Sequence, residues 1–445
     1  MDSVNRINQI TLLLGDVLIL YVSLLLTLFI RYGGISGKIL SSHLIPFTFV
    51  FMVWLIIWYI TGLYDLRILK NDINFAKKII SAILVNGLLA IVIFYFFIPA
   101  FVITPRANLF IFILIFGLGA YIWRTYYNTI LSAEPPKNKI LLIGYNQVAE
   151  ELAKHLQDNP QLGFEIKFWM KEGLQDKEFK HLAQIITENK INIITVPAHV
   201  KKSSKSAKLI YKNLALGIDI WDLSRLYELI FKKIPLAELE EVWFLENLSK
   251  TNELYELFNR ALGIALAGIL LILLSPIILI IAFLVAVSSR GPVIFQQERL
   301  GKNGSPFTIY KFRTMRADAE KDGPKWASVD DNRSTAIGKI LRKTHLDELP
   351  QLINILQGDL SFVGPRPERP EFVEQLKKEV PFYELRLLVK PGITGWAQIN
   401  YKYGASIEET YEKIQYDLYY LKNKSLLFDF LILLRTVKYF FTTIK

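Results

Sequence analysis

The residues of this sequence whose types and spacing are best suited to chemistry are two adjacent carboxylates, Asp347 and Glu348. They lie in KTHLDELPQL at residues 343–352, at the start of an apolar segment. We predict a helix with Asp347 at its N-cap, Pro350 in its first turn and Gly358 at its end. Acidic residues in a first turn are stabilised by the helix dipole and need no function. Because adjacent helical residues point in different directions, however, two functional carboxylates here would have different roles: one attacks while the other positions a proton or a metal.

Arginines surround these carboxylates in the sequence. Arg342 lies just upstream, and GPRPERP at residues 364–370 supplies Arg366 and Arg369 in a loop that its prolines keep out of a helix. A helix N-terminus with guanidinium groups nearby is suited to binding an anion such as phosphate. The spacing therefore predicts an anion site beside the two carboxylates.

A second basic pair lies in a predicted β-hairpin. Residues 293–316, VIFQQERLGKNGSPFTIYKFRTMR, have the pattern of two strands joined by a turn at Asn303 and Gly304. In an extended second strand, Lys311 and Arg313 share one face. This pair is either a phosphate-binding pair or part of a solvated surface.

The composition indicates a membrane protein. The chain has 445 residues, of which 52% are hydrophobic and only 21% charged, which is more apolar than an ordinary soluble protein. Cysteine is absent, so disulfides, thiol nucleophiles and cysteine metal sites are excluded, and any chemistry falls to carboxylates, hydroxyls, histidine or a bound metal. The net charge of +11 suits an anionic partner, and the long apolar segments favour an anionic bilayer over nucleic acid.

Four early apolar segments are predicted to cross the bilayer as a helical bundle within residues 1–135. Three of them reach the roughly 20 residues that a crossing needs, and the fourth is shorter. The segments are Ile10–Ile30, Leu44–Tyr64, Ile79–Phe101 and Ala107–Trp123. Lysine and arginine concentrate in the loop between the second and third segments and after the fourth, which predicts that both ends of the bundle are cytoplasmic. Asp16 is either a functional intramembrane carboxylate or a residue close enough to the helix start to reach the interface.

Residues 136–250 are predicted to form a Rossmann-like α/β domain. KILLIGYNQVAEELAKHL at residues 139–156 has the pattern of a buried strand, a glycine turn and an amphipathic helix, and INIITVPAHV at residues 191–200 has that of another buried strand. After Gly144 the turn lacks the further glycines that let a backbone approach a pyrophosphate. A structural or regulatory domain is therefore favoured over a dinucleotide-binding one.

A fifth apolar run, Ala261–Ser289, contains no charged residue. Ser275 and Pro276 interrupt it midway, and a kink is predicted because Pro276 lacks an N–H and its ring collides with the carbonyl of Ile272. The segment either crosses the membrane as a kinked helix or, at about 257–289, forms a re-entrant hairpin whose freed backbone groups are satisfied by Ser275 or by neighbouring protein. The pattern alone does not choose between them.

The sequence resembles the large monotopic phosphoglycosyl transferases, bacterial sugar transferases also called polyprenyl-phosphate hexose-1-phosphate transferases, of the undecaprenyl-phosphate galactose or glucose phosphotransferase type. The resemblance covers the whole chain in its layout. Its most specific stretches are FQQERLGKNGSPFTIYKFRTMRADAE, LRKTHLDELPQLINILQGDLSFVGPRPERPEF and KPGITGWAQIN. It implies a membrane protein with an α-helical four-span bundle, a cytoplasmic Rossmann-like α/β domain and an α/β catalytic domain at residues 251–445. That domain is anchored by a re-entrant membrane helix broken at Ser275 and Pro276.

The resemblance also implies roles for residues around the carboxylates. Asp347 would be the nucleophile and Glu348 its partner. Mg²⁺ is the implied cofactor, with Asp347 as the candidate metal ligand. Arg342 and Arg366 would bind phosphate.

The loop KPGITGWAQIN carries Trp396 and Gln398, which either hold the nucleotide or are a packed tryptophan and a surface glutamine. Two positions depart from the family pattern. His345 replaces a small hydroxyl residue that is common in relatives, and we assign it no role. Asn259 replaces a second basic residue before Arg260, at the membrane edge.

The implied reaction transfers a hexose 1-phosphate from a UDP-sugar to polyprenyl (undecaprenyl) phosphate and releases UMP through a covalent aspartyl-phosphosugar. Mg²⁺ and the arginines would neutralise the phosphate so that a carboxylate can attack it. The implied setting is the first membrane step of exopolysaccharide, capsule or O-antigen biosynthesis. The expected location is the bacterial inner (cytoplasmic) membrane, multi-pass, with the catalytic domain in the cytoplasm. The expected partners are the UDP-sugar, the polyprenyl phosphate and the lipid bilayer. A homodimer is left open, and no nucleic acid is expected.

Two other classes of protein stay open. A membrane-anchored nucleotide-sugar dehydratase or epimerase would need the glycine fingerprint and, in the same domain, a tyrosine with a lysine four positions later. Only Tyr420 and Lys424 have that spacing, and they lie outside the α/β domain. A non-catalytic scaffold of polysaccharide export would explain the membrane and α/β regions but not the paired carboxylates with their arginines.

Overall fold

The computed structural model divides the chain into two compact units, Met1–Trp221 and Asp222–Lys445. The residues that it describes are 2–65, 69, 71–96, 106–133, 138–170, 182–197, 217–248, 253–288, 290–316, 333–401 and 406–443. The first unit holds the N-terminal helices and the α/β module, and the second holds the paired carboxylates.

Four long helices form the N-terminal part of the first unit: α1 (Asp2–Tyr32), α2 (Gly37–Ile60), α3 (Ile73–Phe96) and α4 (Arg106–Ala133). Each is long and apolar enough to cross a bilayer. Aromatic rings fill the space between them, with centroid distances of 5.3–5.8 Å among Trp58, Phe112, Phe116 and their neighbours.

The predicted end of the fourth segment differs from the structure, and that of the third cannot be compared with it. The fourth segment was predicted to end at Trp123, whereas α4 continues to Ala133 because Arg124, Tyr127 and Leu131 are also buried. The predicted end of the third segment, at residues 97–101, lies outside the described residues.

Asp16 is paired inside the bundle and is fully buried. Its Oδ2 accepts a hydrogen bond from Arg124, and both side chains are fully buried. Arg124 also donates to the carbonyl of Leu63 at 2.7 Å and lies over the ring of Trp58. The pair thus joins α1, α4 and the end of α2, and removing either partner would leave an uncompensated buried charge.

The α/β module contains strands β1 (Asn138–Ile143), β2 (Phe164–Met170), β3 (Ile193–Val196) and β4 (Asp219–Asp222), in the order β2-β1-β3-β4. β1 is parallel to both of its neighbours, as predicted for an α/β domain. Helix α6 (Leu182–Glu188) packs on the sheet through Leu182 and Ile186.

The turn after β1 leads directly into helix α5 (Gln147–Asp158), and a residue of the turn caps that helix. Gly144 adopts a positive φ of 85°, and the side chain of Asn146 accepts the N–H of Ala149 at 2.8 Å. Asn146 therefore caps α5 and occupies a backbone N–H that a pyrophosphate-binding turn presents to its ligand.

The second unit begins well before the predicted boundary between residues 250 and 251. Helices α7 (Leu223–Phe231) and α8 (Glu241–Leu248) belong to it, because side chains from this segment lie in the same buried cluster as Tyr383, Trp396 and Leu418. Ion pairs reinforce the attachment at N–O distances of 3.0 and 2.6 Å; they are Lys233–Glu412 and Lys422–Glu228. The predicted boundary followed the change in local composition, which does not show which core an amphipathic helix joins.

Helix α9 (Glu253–Ser288) contains residues 261–288 of the fifth apolar run, whose last residue lies outside the described residues, and it continues through Pro276. The predicted break at Ser275 and Pro276 therefore does not interrupt the helix. Pro276 cannot donate to the carbonyl of Ile272, and Ser275 Oγ donates to that carbonyl instead at 2.8 Å. The freed backbone group is thus satisfied by Ser275, one of the two ways that the sequence suggested.

One side of α9 packs against the second unit along most of its length. Arg260 near the start binds the backbone at residues 355–356, Ala267 lies in one buried cluster, and Ile281 and Val285 near the end lie in another. The other side exposes large apolar side chains, among them Leu262, Ile269, Ile272, Ile280, Phe283 and Val287.

The remaining elements of the second unit position the site. Strands β5 (Ile294–Leu300) and β6 (Pro306–Phe312) form the predicted antiparallel hairpin, with Asn303 at a φ of 57° in its turn. They are followed by α10 (Ala336–Thr344), α11 (Gln351–Gln357), β7 (Ser361–Val363), α12 (Pro370–Glu379), β8 (Gly392–Thr394), α13 (Trp396–Asn400), α14 (Ile407–Asn423) and α15 (Leu426–Thr443).

Candidate active site

The two carboxylates lie in a short 3₁₀ turn, Leu346–Glu348, between α10 and α11. The chain reverses at His345, which has a left-handed φ of 54°. Pro350 cannot donate to the carbonyl of Leu346, and tighter i to i+3 bonds form instead, including Leu349 N–H to that same carbonyl. The predicted N-cap role of Asp347 is therefore wrong, because α11 begins only at Gln351. The predicted end of the helix at Gly358 is confirmed by its positive φ of 101° and its capping bonds.

Asp347 and Glu348 are both nearly buried, at 7% and 9% exposure, but they have different partners. Glu348 Oε1 accepts hydrogen bonds from Lys311 Nζ at 2.9 Å and from Arg366 at 2.7 Å. Within the part of the chain that the structure describes, no residue donates a hydrogen bond to the carboxylate of Asp347 or pairs with it. The two side chains thus have separate environments, as the sequence predicted for adjacent positions.

The protonation of the pair follows from these environments. Burial and, to a smaller extent, the charge of Glu348 raise the pKa of Asp347 to about 6, against the opposing effects of Lys311, Arg366 and Arg342. Burial by itself also raises the pKa of Glu348, but Arg366 and Lys311 outweigh it and hold that pKa well below its usual range. Glu348 therefore stays ionised, and a proton shared between the two would reside on Asp347.

Three of the four predicted phosphate-binding residues surround the carboxylates. Lys311 and Arg366 contact Glu348 directly, from strand β6 and from the loop after β7. Arg342, in the last turn of α10, acts on Asp347 through its charge and donates to Ser334 Oγ at 3.1 Å. The site therefore combines a carboxylate without a hydrogen-bonding partner in the described chain with three cations.

Arg313 is not brought to this site. It follows the end of β6, and its buried guanidinium donates to the carbonyl of Pro292. A Cβ on Gly291 would collide with the guanidinium of Arg313, so the loop at residues 291–293 packs closely against this side chain. Its position supports a role in holding that loop and does not support the predicted phosphate contact.

His345 lies close to the carboxylates and is not ionised at neutral pH. Burial lowers its pKa, and Arg366 and Lys311 lower it further against the opposing charge of Glu348. A neutral imidazole adds no charge to the site.

The loop KPGITG supports the loop that carries Arg366. Gly364 N–H donates to Thr394 O at 2.9 Å, and Gly392 N–H donates to Pro365 O at 3.0 Å. A Cβ on Gly392 or on Gly364 would clash with the backbone of the other loop, so the two glycine positions allow main chain to pack directly on main chain. Arg366 is therefore held by backbone contacts from behind.

Trp396 is packed in the core, and Gln398 is bonded to its own loop. Trp396 is only 5% exposed, its indole N–H donates to Lys232 O at 2.8 Å, and its ring stacks with that of Tyr419. Gln398 donates to the carbonyl of Ile393 at 3.1 Å. The packed alternative thus holds for Trp396, whose faces are covered by the core and not offered to a nucleotide.

Comparison with known proteins agrees with this geometry. Residues 254–443 match the bacterial sugar transferase family. The UDP-glucose:undecaprenyl-phosphate glucose-1-phosphate transferase of Escherichia coli (strain K12) is 33% identical over 318 residues, which are 68% of this chain and 67% of that protein. The UDP-N-acetylgalactosamine-undecaprenyl-phosphate N-acetylgalactosaminephosphotransferase of Aeromonas hydrophila is 40% identical over 221 residues, half of this chain and 52% of that protein.

A shorter relative matches a smaller part of the chain at higher identity. The putative undecaprenyl-phosphate N-acetylgalactosaminyl 1-phosphate transferase of Bacillus subtilis (strain 168) is 46% identical over 140 residues, which are 32% of this chain and 78% of that protein. The chain belongs to the bacterial sugar transferase family. With its long apolar helices, this member of a transferase family is a membrane protein.

This bacterial sugar transferase also uses residues that the sequence analysis missed. Arg386 is buried and donates to the carbonyl of Arg366 at 2.9 Å. It is held in turn by Asp417 at 3.0 Å and by the hydroxyl of Tyr383 at 2.9 Å. The available signal was a charged residue within the apolar segment just before KPGITG. We therefore assign Arg386 a positioning role for the Arg366 loop.

The donor set of this sugar transferase fits Mg²⁺. Among the described residues, no group of three histidine, aspartate or glutamate side chains comes together. Mg²⁺ is usually held by one or two carboxylates together with substrate phosphates and water. Asp347 supplies such a carboxylate, whereas Glu348 is engaged by Lys311 and Arg366.

Proposed function

We propose that this protein transfers a hexose 1-phosphate from a UDP-sugar to a polyprenyl phosphate, with release of UMP and a covalent intermediate on Asp347. The observation that carries the proposal is the asymmetry of the two carboxylates. Asp347 lacks a hydrogen-bonding partner in the described chain, while its neighbour Glu348 fixes Lys311 and Arg366 beside it. The names of the relatives support sugar phosphate transfer to undecaprenyl phosphate in those proteins.

The first half of the reaction is an attack on the donor. A carboxylate oxygen of Asp347 forms a bond to the sugar-bearing phosphorus, and the bond from that phosphorus to the oxygen of UMP breaks. Attack of one anion on another is slow unless positive charge is placed around the phosphate. Arg342, Arg366 and Lys311 supply part of that charge from the protein.

The second half returns the enzyme to its starting state. An oxygen of the polyprenyl phosphate attacks the same phosphorus, and the bond to Asp347 breaks. The product is a polyprenyl-diphosphate-linked sugar, and the carboxylate is regenerated. In both halves Glu348 keeps Lys311 and Arg366 in place, because its pKa stays well below the working pH.

Mg²⁺ is the cofactor that we propose, with Asp347 and the donor diphosphate as its ligands. When bound, it would add positive charge at the diphosphate. This assignment follows from the donor set described above and from the preference of Mg²⁺ for oxygen ligands.

We also propose that α9 is re-entrant: it stays helical throughout but bends at Pro276, so that it dips into one leaflet from the cytoplasmic side without crossing the membrane. A crossing helix separates its two ends by the thickness of the hydrocarbon core, about 30 Å. Arg260 near the start of α9 and Val285 near its end both pack against the same compact unit, however, while the opposite side exposes apolar side chains. This arrangement favours a helix that lies in one leaflet, with the catalytic unit in the cytoplasm of a bacterial inner membrane.

The competing functions lack such support. The Tyr420 hydroxyl, which has the dehydratase spacing to Lys424, is buried and bonded to Asp429 at 2.9 Å. Asn146 caps α5 where a dinucleotide would need the free N-terminus. The sugar is identified by assaying a panel of donors that includes UDP-glucose and UDP-N-acetylgalactosamine, which appear in the names of the relatives.

The decisive experiment is a half-reaction. Purified protein is mixed with each UDP-sugar and Mg²⁺ but without polyprenyl phosphate. UMP should appear up to one equivalent, and the quenched protein should carry a sugar phosphate on Asp347 by mass spectrometry. Asp347→Asn should give neither signal, whereas Glu348→Gln keeps the nucleophile and should label slowly. Release of UMP only when both substrates are present, with no adduct, would instead mean direct transfer with the carboxylates as metal ligands.

A further inference from the structure

A group of cations lies around the first turns of α9, away from the carboxylates. It consists of Arg260 on α9, Lys302 in the hairpin turn, Lys390 before β8 and Lys424 between α14 and α15. Two carboxylates, Glu256 and Asp359, are the acidic residues that act on Lys390. Four separate elements thus bring four positive charges towards two negative ones.

The cations differ in how far they are neutralised. Lys302 Nζ binds both oxygens of Glu256 at 3.1 Å, and Lys424 Nζ lies 3.9 Å from the same carboxylate. Arg260 donates to two backbone carbonyls. No described residue forms a hydrogen bond or an ion pair with the ammonium of Lys390. This half-buried lysine therefore has positive neighbours and no direct counter-charge.

Electrostatics agree with this geometry. Burial lowers the pKa of Lys390, and the charges of Arg260 and Lys302 lower it further. Burial likewise lowers the pKa of Lys424 against the opposing charge of Glu256, and Lys302 lowers it further against that of Asp429. An anion bound among these groups would relieve the repulsion and satisfy the ammonium of Lys390.

The surroundings of this group are apolar. Leu254, Leu257 and Phe258, in the same turns of α9, are 66%, 65% and 54% exposed. Clustered lysines next to exposed apolar side chains are typical of a protein surface at the level of lipid headgroups. The cluster is also separate from the reaction site: Arg260 binds the C-terminal end of α11, whereas Asp347 and Glu348 precede its N-terminal end. The helix between them is about 10 Å long.

We propose that Lys302, Lys390 and Lys424 bind the phosphate of an anionic phospholipid at the cytoplasmic edge of the bilayer. The proposal rests on the membrane placement of α9 given under Proposed function and does not depend on the transfer reaction. The occupant is a structural lipid and not the acceptor polyprenyl phosphate, because the acceptor phosphate must reach Asp347 at the other end of α11.

The test compares two matched pairs of substitutions in the full-length protein. Lys390→Gln/Lys424→Gln removes two charges from the cluster, and Lys377→Gln/Lys378→Gln removes two from the exposed surface of α12. Phosphatidylglycerol is titrated into detergent-purified protein, with phosphatidylcholine as the competitor, and bound lipid is counted by native mass spectrometry. Each lysine near an anionic lipid is worth about fivefold in affinity, so the cluster variant should bind phosphatidylglycerol about 30-fold more weakly. The control pair should bind it as the wild type does.

Three outcomes would overturn the proposal. One is equal phosphatidylglycerol affinity in both variants. Another is competition by soluble glycerol 3-phosphate as strong as that by the lipid, which would indicate a general phosphate site. The third is loss of UMP release in the cluster variant while the control retains it, which would place the cluster in the reaction. A wild-type protein that binds the lipid but releases no UMP would refute the reaction alone.

Discussion

Asp347 and Glu348 are neighbours in the chain, yet the charges around them give them opposite electrostatic properties. Glu348 is held by two cations and stays ionised, whereas burial and the charge of Glu348 make ionisation of Asp347 unfavourable. A carboxylate that is ionised but poorly stabilised is a stronger nucleophile than a paired one. This difference has consequences for stability that can be measured without any substrate.

Asp347→Asn should stabilise the protein at neutral pH. The folded pKa of Asp347, about 6, is raised above its ordinary value of 3.8, so its contribution to stability is lost as the pH rises through 6. The penalty above that pH is up to about 3 kcal/mol, since one pKa unit corresponds to about 1.4 kcal/mol. Thermal unfolding in detergent with EDTA should show the variant above the wild type at pH 7.5. The gap should narrow as the pH falls towards 5, and an unchanged gap would contradict the assigned pKa.

Glu348→Gln should have the opposite effect. It removes the counter-charge of Lys311 and Arg366, whose hydrogen bonds to a charged acceptor contribute about 1.5–3 kcal/mol each, but it keeps a neutral oxygen that can still accept them. We expect a loss of about 2 kcal/mol in the same unfolding assay at pH 7.5. Equal shifts for the two variants would mean that the carboxylates share one environment, against the structure.

Arg342→Ala and Arg366→Ala should each slow the proposed reaction. A desolvated, charge-assisted contact to phosphate contributes about 1.5–3 kcal/mol, so kcat/KM should fall about 10- to 100-fold. Lysine at either position should restore only part of the loss, because it cannot form a bidentate contact. The control is Lys378→Ala on the exposed face of α12. Near-normal turnover of both alanine variants would remove these arginines from the site.

At the scale of elements, the site depends on loops that pack main chain on main chain. The GPRP loop carries Arg366, the KPGITG loop lies against it, and Arg386 donates a hydrogen bond to the carbonyl of Arg366. The position of Arg366 therefore depends on two glycine-containing loops, GPRP and KPGITG, that are distant in sequence.

Gly392→Ala should therefore damage the site more than its small size suggests. Its Cβ would clash with the backbone of Gly364, and neither loop can move without displacing Arg366. Overpacking of this kind typically destabilises by about 1–3 kcal/mol. Gly268→Ala on α9 is the matched control, because its Cβ would meet no atom within 4 Å. The unfolding temperature and kcat/KM should both fall for Gly392→Ala and not for Gly268→Ala. If Gly392→Ala behaved like the control, the KPGITG loop would not support the position of Arg366.

At the scale of the whole molecule, the apolar helices determine which parts of the chain face the cytoplasm. If α9 returns to its own side of the membrane, tags placed after Gly144 and at the C-terminus should both be inaccessible from outside intact cells and labelled after permeabilisation. A tag in the loop between α1 and α2 serves as the external control. Labelling of the C-terminal tag from outside would show that α9 crosses the membrane.

The predictions from sequence succeeded where the physics is local. The apolar segments, the hairpin with its turn at Asn303 and Gly304, the helix end at Gly358 and the hydrogen bond of Ser275 depend on residues close together in the chain. The resemblance to a known family pointed to Arg342 and Arg366 near the carboxylates, and the hairpin pattern pointed to Lys311 as a candidate phosphate contact, but the sequence did not predict its ion pair with Glu348. Local patterns failed for the N-cap of Asp347, where Pro350 and the reversal at His345 together enforce a 3₁₀ turn.

The sequence by itself determined which groups are present. It indicated a membrane protein, the adjacent carboxylates Asp347 and Glu348, cations suited to phosphate and the elements that carry these residues. What only the tertiary structure decided is which groups meet. It separated Arg313 from Lys311, placed Trp396 in the core and joined residues 223–248 to the second unit. It also brought Arg386 within hydrogen-bonding distance of the carbonyl of Arg366. These outcomes depend on contacts between residues far apart in the chain. Burial and charge neutralisation at such contacts are properties of the assembled fold, because a side chain loses water only when distant segments cover it.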